Sequence, residues 1–358
     1  MSRTHLLFGI SLYLVVVESA AGQSTLIPVT ARRDHVFSPD SGILYMSTNG
    51  GTIARFNLST NSLIPLWNVG TSLYGLDVTP DGSAIYVAEN QTVGTQGFFK
   101  KVNTATGAVT NIPYSLAANE TGAWDIKIAN NGKGFASTQF AGSGWVPFRE
   151  LNLATDSLTV RSDVAGFING QVMQETQINR SADRSLLFMT ESNISNGPVF
   201  TYDAATNTFP NNSTTGISLS SSLAGVNRNG SLIALEVGST LSILNPQLNI
   251  IHNLGTSLRG GIVFDPKRDI LYAANATTNT LIALNTNTWQ QVNQWTIGED
   301  IPNSSAMDEG VMSISDNGSW LAMSTPAGVR LFAVPEPTYC GLLGMAFLIM
   351  KHRRTQSR

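Results

Sequence analysis

Cysteine is almost absent from this chain: one residue in 358, Cys340, near the C-terminus. No intramolecular disulfide can form, so stability has to come from packing. Charge is scarce as well. Asp, Glu, Lys and Arg make up 13% of the residues, about half the usual share for soluble domains, and the formal net charge is -3. No Lys/Arg run occurs before the last eight residues, so the basic stripe that tracks phosphates is lacking and nucleic acid is not an expected partner. Of four histidines only His35 and His252 lie in the body of the chain. Neither has neighbours at metal-ligand spacing, and no metal or cofactor is expected. A dispersed Ser-His-Asp triad stays open, but no Gly-x-Ser-x-Gly elbow occurs, and Gly142-Ser143-Gly144 reads as a loop. No apolar run reaches the roughly 20 residues of a membrane-spanning helix.

What the chain does have is 42% hydrophobic residues, enough for a sizeable core under a surface of Asn, Ser, Thr and Gly. It also has repeats. Ser38-Pro39-Asp40 followed by Ile43-Leu44-Tyr45-Met46, Thr79-Pro80-Asp81-Gly82 followed by Ala84 to Asn90, and Asp265-Pro266 followed by Ile270 to Asn275 overlay almost without gaps. Each continues into an apolar strand ending in Asn57, Asn103 or Asn285. Weaker copies keep only the turn, at Asn130-Asn131-Gly132, Ser181-Ala182-Asp183, Arg228-Asn229-Gly230 and Asp316-Asn317-Gly318. Taking Asp40, Asp81, Asn131, Asp183, Asn229, Lys267 and Asn317 as equivalent, the period is roughly 38 to 52 residues, the length of a four-stranded propeller blade. The run Ile85 to Asn90 resembles the YVTN type of β-propeller repeat.

The expected fold class is therefore all-β, a single β-propeller over residues 23–334 with seven four-stranded blades. Six or eight blades would follow from a different parsing of Val199 to Leu244. Each blade has two strands joined by the Pro-Asp or Asn-Gly turn, a third closed by an Asn-led turn, and a fourth leading onward. The last unit, Gly310 to Val334, has room for two or three strands, and Leu26 to Thr30 is the expected strand that completes it. Five and three residues before each turn stand two columns, His35, Leu76, Ile126, Ile178, Ala224, Ile262, Met312 and Phe37, Val78, Ile128, Arg180, Val226, Phe264, Ile314. Both are largely apolar, as strands packed between blades require. His35 reads as a core or channel histidine.

Seven and eight residues before the turns stand Arg32, Arg33, Tyr74, Trp124, Glu175, Arg259 and Glu309. They are expected to converge at the channel mouth, where aromatic faces stack on sugars and charged groups bond hydroxyls. A merely wet channel would carry polar residues there too. Asp77 and Asp125 are expected to cap turns or pair with Lys127. The segment from Phe140 to Phe148, with Trp145, is a second aromatic candidate, although packing over a blade fits it better.

The two ends read as addresses. Residues 1–22 resemble a secretory signal: Arg3 and His5, about twelve apolar residues from Leu6 to Val17, then Ser19, Ala20, Ala21 and Gly22. An uncleaved anchor is the alternative. In residues 335–358, Pro335-Glu336-Pro337 precedes an apolar stretch from Tyr339 to Met350 and the basic residues Lys351, Arg353 and Arg354. That order resembles the PEP-CTERM sorting signal of Gram-negative bacteria. Proline on both sides keeps the motif extended, the apolar stretch can sit transiently in the inner membrane, and the cations stay cytoplasmic. The resemblance implies an exosortase as processing partner and the cell surface or an exopolysaccharide matrix as destination; a plain membrane tail is the alternative. Cys340 departs from the usual pattern and reads as a small apolar residue, with lipidation the other option.

The functional expectation is a non-enzymatic surface or matrix protein binding polysaccharide or another envelope component. Its rival is a lactonase-like hydrolase using Glu175 or Glu309 as base near Arg259. A quinoprotein dehydrogenase lacks its paired cysteines here.

Overall fold

Residues 24–335 are described in the computed structural model, apart from 165–169, 192–197, 214–222, 238–239, 256–257, 259, 302–306 and 308–310. The two end segments thus lie outside the described residues, with one exception. Pro335 is placed, and its carbonyl accepts a bond of 3.0 Å from Arg268.

Seven antiparallel four-stranded sheets form a ring, and no helix occurs among the described residues. The innermost strands are Arg32–Phe37, Leu73–Val78, Glu120–Ile128, Thr176–Arg180, Ala224–Val226, Ile262–Phe264 and Met312–Ile314, in blades 1 to 7. Each of these touches the next around the circle, and the last touches the first. The region Val199 to Leu244 divides cleanly, its first two strands ending blade 4 and the rest belonging to blade 5.

Why the strands read as near-continuous apolar runs follows from what their two faces meet. In Ala84–Val93 of blade 2, Ala84, Tyr86 and Ala88 enter the core shared with blade 3, while Ile85 and Val87 enter the core shared with blade 1. In Ile270–Asn275 of blade 6, Leu271 and Ala273 face blade 5, and Tyr272 and Ala274 face blade 7. A strand buried on both faces cannot alternate with polar residues. The result is one hydrophobic cluster at every blade-to-blade contact, seven in all among the described residues. The largest aromatic set joins blades 3 and 4, where the Phe135 and Tyr202 rings lie 4.2 Å apart beside Phe148, Phe200 and Phe209.

The turn chemistry repeats as expected. Ser38 Oγ bonds Asp40 Oδ1 at 2.5 Å while accepting from Gly42 and Ile43. Thr79 with Asp81, Ser181 with Asp183 and Ser315 with Asn317 do the same. At the third-strand ends Asn57, Asn103 and Asn285 each accept from backbone amides two and three residues on. These short side chains close the turn locally, which is why the turns survive where the strand motif has drifted.

Ring closure uses the N-terminal segment. Thr25–Ile27 pairs with Gly328–Ala333, Ile27 lying opposite Val329, and makes the outermost strand of blade 7. The closing strand is thus three residues rather than the five expected from Leu26 to Thr30. Three outermost strands carry a proline, Pro65, Pro113 and Pro210, which blunts those open edges. A ribbon outside the repeat was not foreseen: Trp145–Pro147 pairs with Gln171–Met173 on the flank of blade 3.

Candidate functional site

Arg32, Arg33 and Tyr74 stand at the starts of the innermost strands of blades 1 and 2, Trp124 lies within that of blade 3, and Glu175 immediately precedes that of blade 4. Tyr74 is held between two neighbours: its ring lies 4.8 Å from that of Trp124, and the Arg33 guanidinium sits 4.8 Å from the Tyr74 centroid. Arg33 also donates to the Met307 carbonyl at 3.5 Å. Trp124 is buried, at 6% exposure, beneath this stack. A sugar could not stack on its face without displacing Tyr74, so the rim offers hydrogen bonds more than open aromatic faces. Among the described residues the Trp124 Nε1 has no partner.

Glu175 stands apart from that stack. Its Oε1 accepts from Gln139 Nε2 at 2.7 Å, and the Gln139 carbonyl in turn accepts from Asn90, so blades 2, 3 and 4 are linked along the rim. Glu175 has a φ of 61°, a left-handed conformation that a non-glycine side chain adopts only when its surroundings impose it. The blades approach closely here: a Cβ on Gly122 would fall 1.8 Å from the Asn90 carbonyl oxygen. Arg32 is buried at 6% exposure. Arg259 and Glu309 lie outside the described residues.

Deeper in the channel is a set of groups that sequence reasoning touched only in part. Asp34, Asp77 and Asp125 are buried on the innermost strands of blades 1, 2 and 3. Each accepts from the next amide on its own strand and from an amide on the following blade: Leu76 for Asp34 at 3.1 Å, Ile128 for Asp77 at 2.9 Å, Ile178 for Asp125 at 2.8 Å. Innermost strands of neighbouring blades are not hydrogen-bonded as a sheet, so the carboxylates satisfy edge amides that the ring leaves open. Lys127 Nζ lies 2.8 Å from Asp34 and 3.0 Å from Asp125. The pairing of Asp125 with Lys127 agrees with expectation; Asp34 was not singled out.

The electrostatics follow. Burial opposes the charge of Lys127, but Asp125, Asp34 and Asp77 outweigh it and the net shift is upward. Burial, helped by Asp34, pushes the Asp125 carboxyl above the usual aspartate range against the pull of Lys127. Burial also works to raise Asp77, yet Arg180, Arg184 and Lys127 hold it below that range. Arg180 therefore departs from its apolar column because Asp77 draws it at 2.9 Å.

His35 is buried where the ring closes. Its Nε2 meets the Val311 carbonyl at 3.1 Å and its Nδ1 meets Ser313 Oγ at 2.7 Å, both on blade 7. A carbonyl can only accept, so Nε2 carries the proton and Nδ1 of the neutral ring accepts from the hydroxyl. Burial depresses its pKa to about 4, against the opposing charge of Asp34. This is a packed, bonded histidine holding blade 1 to blade 7.

The same channel contains a cavity of about 170 Å³ whose lining includes Met307, Ala182, Pro266 and Asp316. Among the described residues no group of His, Cys, Asp and Glu is arranged to hold a metal ion.

The described chain superposes on the β-propeller domain of Cps50 (Swd1) from Myceliophteria thermophila with a TM-score of 0.64 at 12% identity, covering 87% of this chain and 98% of that one. Hydrazine synthase from Kuenenia stuttgartiensis gives the same TM-score and identity, over 87% of this chain and 97% of its own. Its fold is theirs. At this identity the likeness concerns architecture alone. No protein-family model matches the sequence, and no curated protein matches it. The hydrolase reading gains nothing from the described residues, since Glu175 is engaged by an amide and His35 is sealed in the ring.

Proposed function

We propose that this propeller is a non-enzymatic binding scaffold, exported through the inner membrane of a Gram-negative cell and sorted to the surface or extracellular matrix. There its rim would bind polysaccharide or another envelope component. The observation that carries the binding reading is the rigid rim built by blades 1 to 4. Arg33 lies over Tyr74, and the amides of Asn90 and Gln139 lead to Glu175, all of them half-buried. Such preset donors and acceptors suit hydroxyl-rich or amide-rich ligands and cost little ordering on binding. The address reading rests on residues 1–22 and on Pro335-Glu336-Pro337 with Lys351, Arg353 and Arg354.

A glycan array and a matrix pull-down with the purified propeller test the first part. Binding lowered at least tenfold by Arg33→Ala, Tyr74→Ala and Glu175→Gln supports it, and binding unchanged by all three removes the rim from consideration. Cell fractionation tests the second. The full chain should appear at the surface or in the matrix, and a chain ending at Val334 should be released to the medium; equal distribution of the two would sink the sorting role.

A further inference from the structure

The channel changes character partway around the ring. At the positions six and four residues before the turns, blades 1 to 4 hold the polar residues Asp34, Asp77, Asp125, Lys127, Gln177 and Asn179. Blades 5 to 7 hold Leu223, Gly225, Val263 and Val311 there, with Ser313, whose hydroxyl is taken by His35. All of them line the cavity, so part of its wall is polar and part aliphatic.

The polar part offers acceptors. Gln177 and Asn179 stand two apart on Thr176–Arg180 and so share a strand face. Gln177 is only 6% exposed. Its Nε2, like Asn179 Nδ2, is closed off without a partner among the described residues. The amide oxygens are therefore the atoms these two side chains present to the cavity. Neither oxygen has a hydrogen-bond partner among the described residues. Buried acceptors left unmet call for donors.

Charge narrows the choice. Both oxygens of Asp34, Asp77 and Asp125 already accept from backbone amides or cations. These carboxylates reach a ligand through their field rather than by contact. With Asp316 the lining has four carboxyl groups against two cations, Lys127 and Arg180. Arg184 bonds Asp77 from outside the lining, and four against three still leaves one negative charge. An anion would be repelled. A bare metal ion would find only two free amide oxygens, and among the described residues no group of His, Cys, Asp and Glu is arranged to hold one. A primary ammonium ion on an aliphatic chain meets every part of the wall. Its N–H groups suit the two oxygens, its charge suits the excess of carboxylates, and its chain suits Leu223, Val263 and Val311. The cavity has room for about ten water-sized groups, enough for such a head and a hexyl chain.

We propose that the central channel is a binding site for a primary alkylammonium ion, its head on Gln177 and Asn179 and its chain against blades 5 to 7. This site is separate from the rim, and neither reading depends on the other.

Calorimetric titration of the purified chain with ethylammonium, butylammonium and hexylammonium tests it, at about pH 8, where a primary amine stays protonated. Saturable binding is expected for hexylammonium, strengthening roughly tenfold for each two methylenes added. Hexanamide lacks the charge, hexanoate inverts it, and hexyltrimethylammonium keeps it without N–H donors; each should bind at least tenfold weaker. Gln177→Leu and Asn179→Leu should each weaken hexylammonium at least about fivefold. Should either variant fail to fold, the head-group comparison on the native chain still decides. Absence of saturation up to ~10 mM hexylammonium, equal binding of hexanamide or hexanoate, affinity indifferent to chain length, or displacement by an equal concentration of potassium or calcium ions would each overturn the proposal.

Discussion

Asp77 on blade 2 and Arg184 beyond the innermost strand of blade 4 meet across blade 3, Asp77 Oδ2 accepting from the guanidinium at 3.1 Å. The same oxygen accepts from Arg180 Nε and from the Ile128 amide, each at 2.9 Å. One carboxylate thus ties three blades at the channel wall. Burial lowers the Arg184 pKa to about 10, with the charge of Arg180 adding to the effect, while Asp77 works against it.

Asp77→Ala should therefore cost about 3–5 kcal/mol, because it strands two guanidinium groups in a site made for a pair. Urea unfolding monitored by tryptophan fluorescence would measure it. A loss below ~1 kcal/mol would mean that water reaches the arginines and the tie is weak.

His35 makes stability depend on pH in a definite direction. Its folded pKa, about 4, lies below the unfolded 6.5, so the unfolded chain binds the proton first and stability falls as pH drops from 6.5 towards 4. The full shift corresponds to about 3 kcal/mol. Asp125, its carboxyl raised by burial from 3.8 to about 6, works in the opposite sense over most of the same window, so the clean measurement is a difference. Native minus His35→Gln stability should shrink steadily across that window; a constant difference would show that His35 does not titrate on unfolding.

Arg149 and Glu120 form a buried pair away from the channel, with side-chain exposures of 4% and 0%. Arg149 NH2 reaches Glu120 Oε2 at 2.8 Å, and the guanidinium stacks 4.3 Å from the Tyr114 centroid. Arg149→Met alone should cost about 3–5 kcal/mol, and the double change Arg149→Met with Glu120→Met should recover most of it. Chemical unfolding of the three variants checks this, and strict additivity would argue that the two groups do not interact.

Ile27, fully buried in the seam where blade 7 meets blade 1, is the anchor of the closing strand. Ile27→Ala should lower stability by about 2–4 kcal/mol and expose the seam to protease before any other blade contact. Limited proteolysis with fragment mapping is the readout, and first cleavage within blades 3 to 5 would contradict the seam as the weak point.

Much of this wheel is legible along the chain because its signals are local. Ser38 with Asp40 and Asn57 with Ser59 close their turns within two residues, so the motif can be seen without knowing what packs on it. The columns from Leu76 to Ile314 declare a strand face by spacing alone. The site was less legible. Asp34 acts on residues 42 and 93 positions away, and no local pattern announces that. Trp124 reads as an exposed platform by position, yet Tyr74 covers it. The ribbon of Trp145–Pro147 with Gln171–Met173 escapes notice because it belongs to no repeat.

By itself the amino-acid order determines repeat length, turn type and the double-faced apolar strands, since each is set by neighbours a few residues apart. Which polar groups end in the channel, and how they pair, was decided by closure of the ring. His35 finds Ser313 across 278 positions, and Asp77 finds Arg184 across 107. Those partners become neighbours only once seven sheets, none able to cover its own two faces, have packed side by side into a circle.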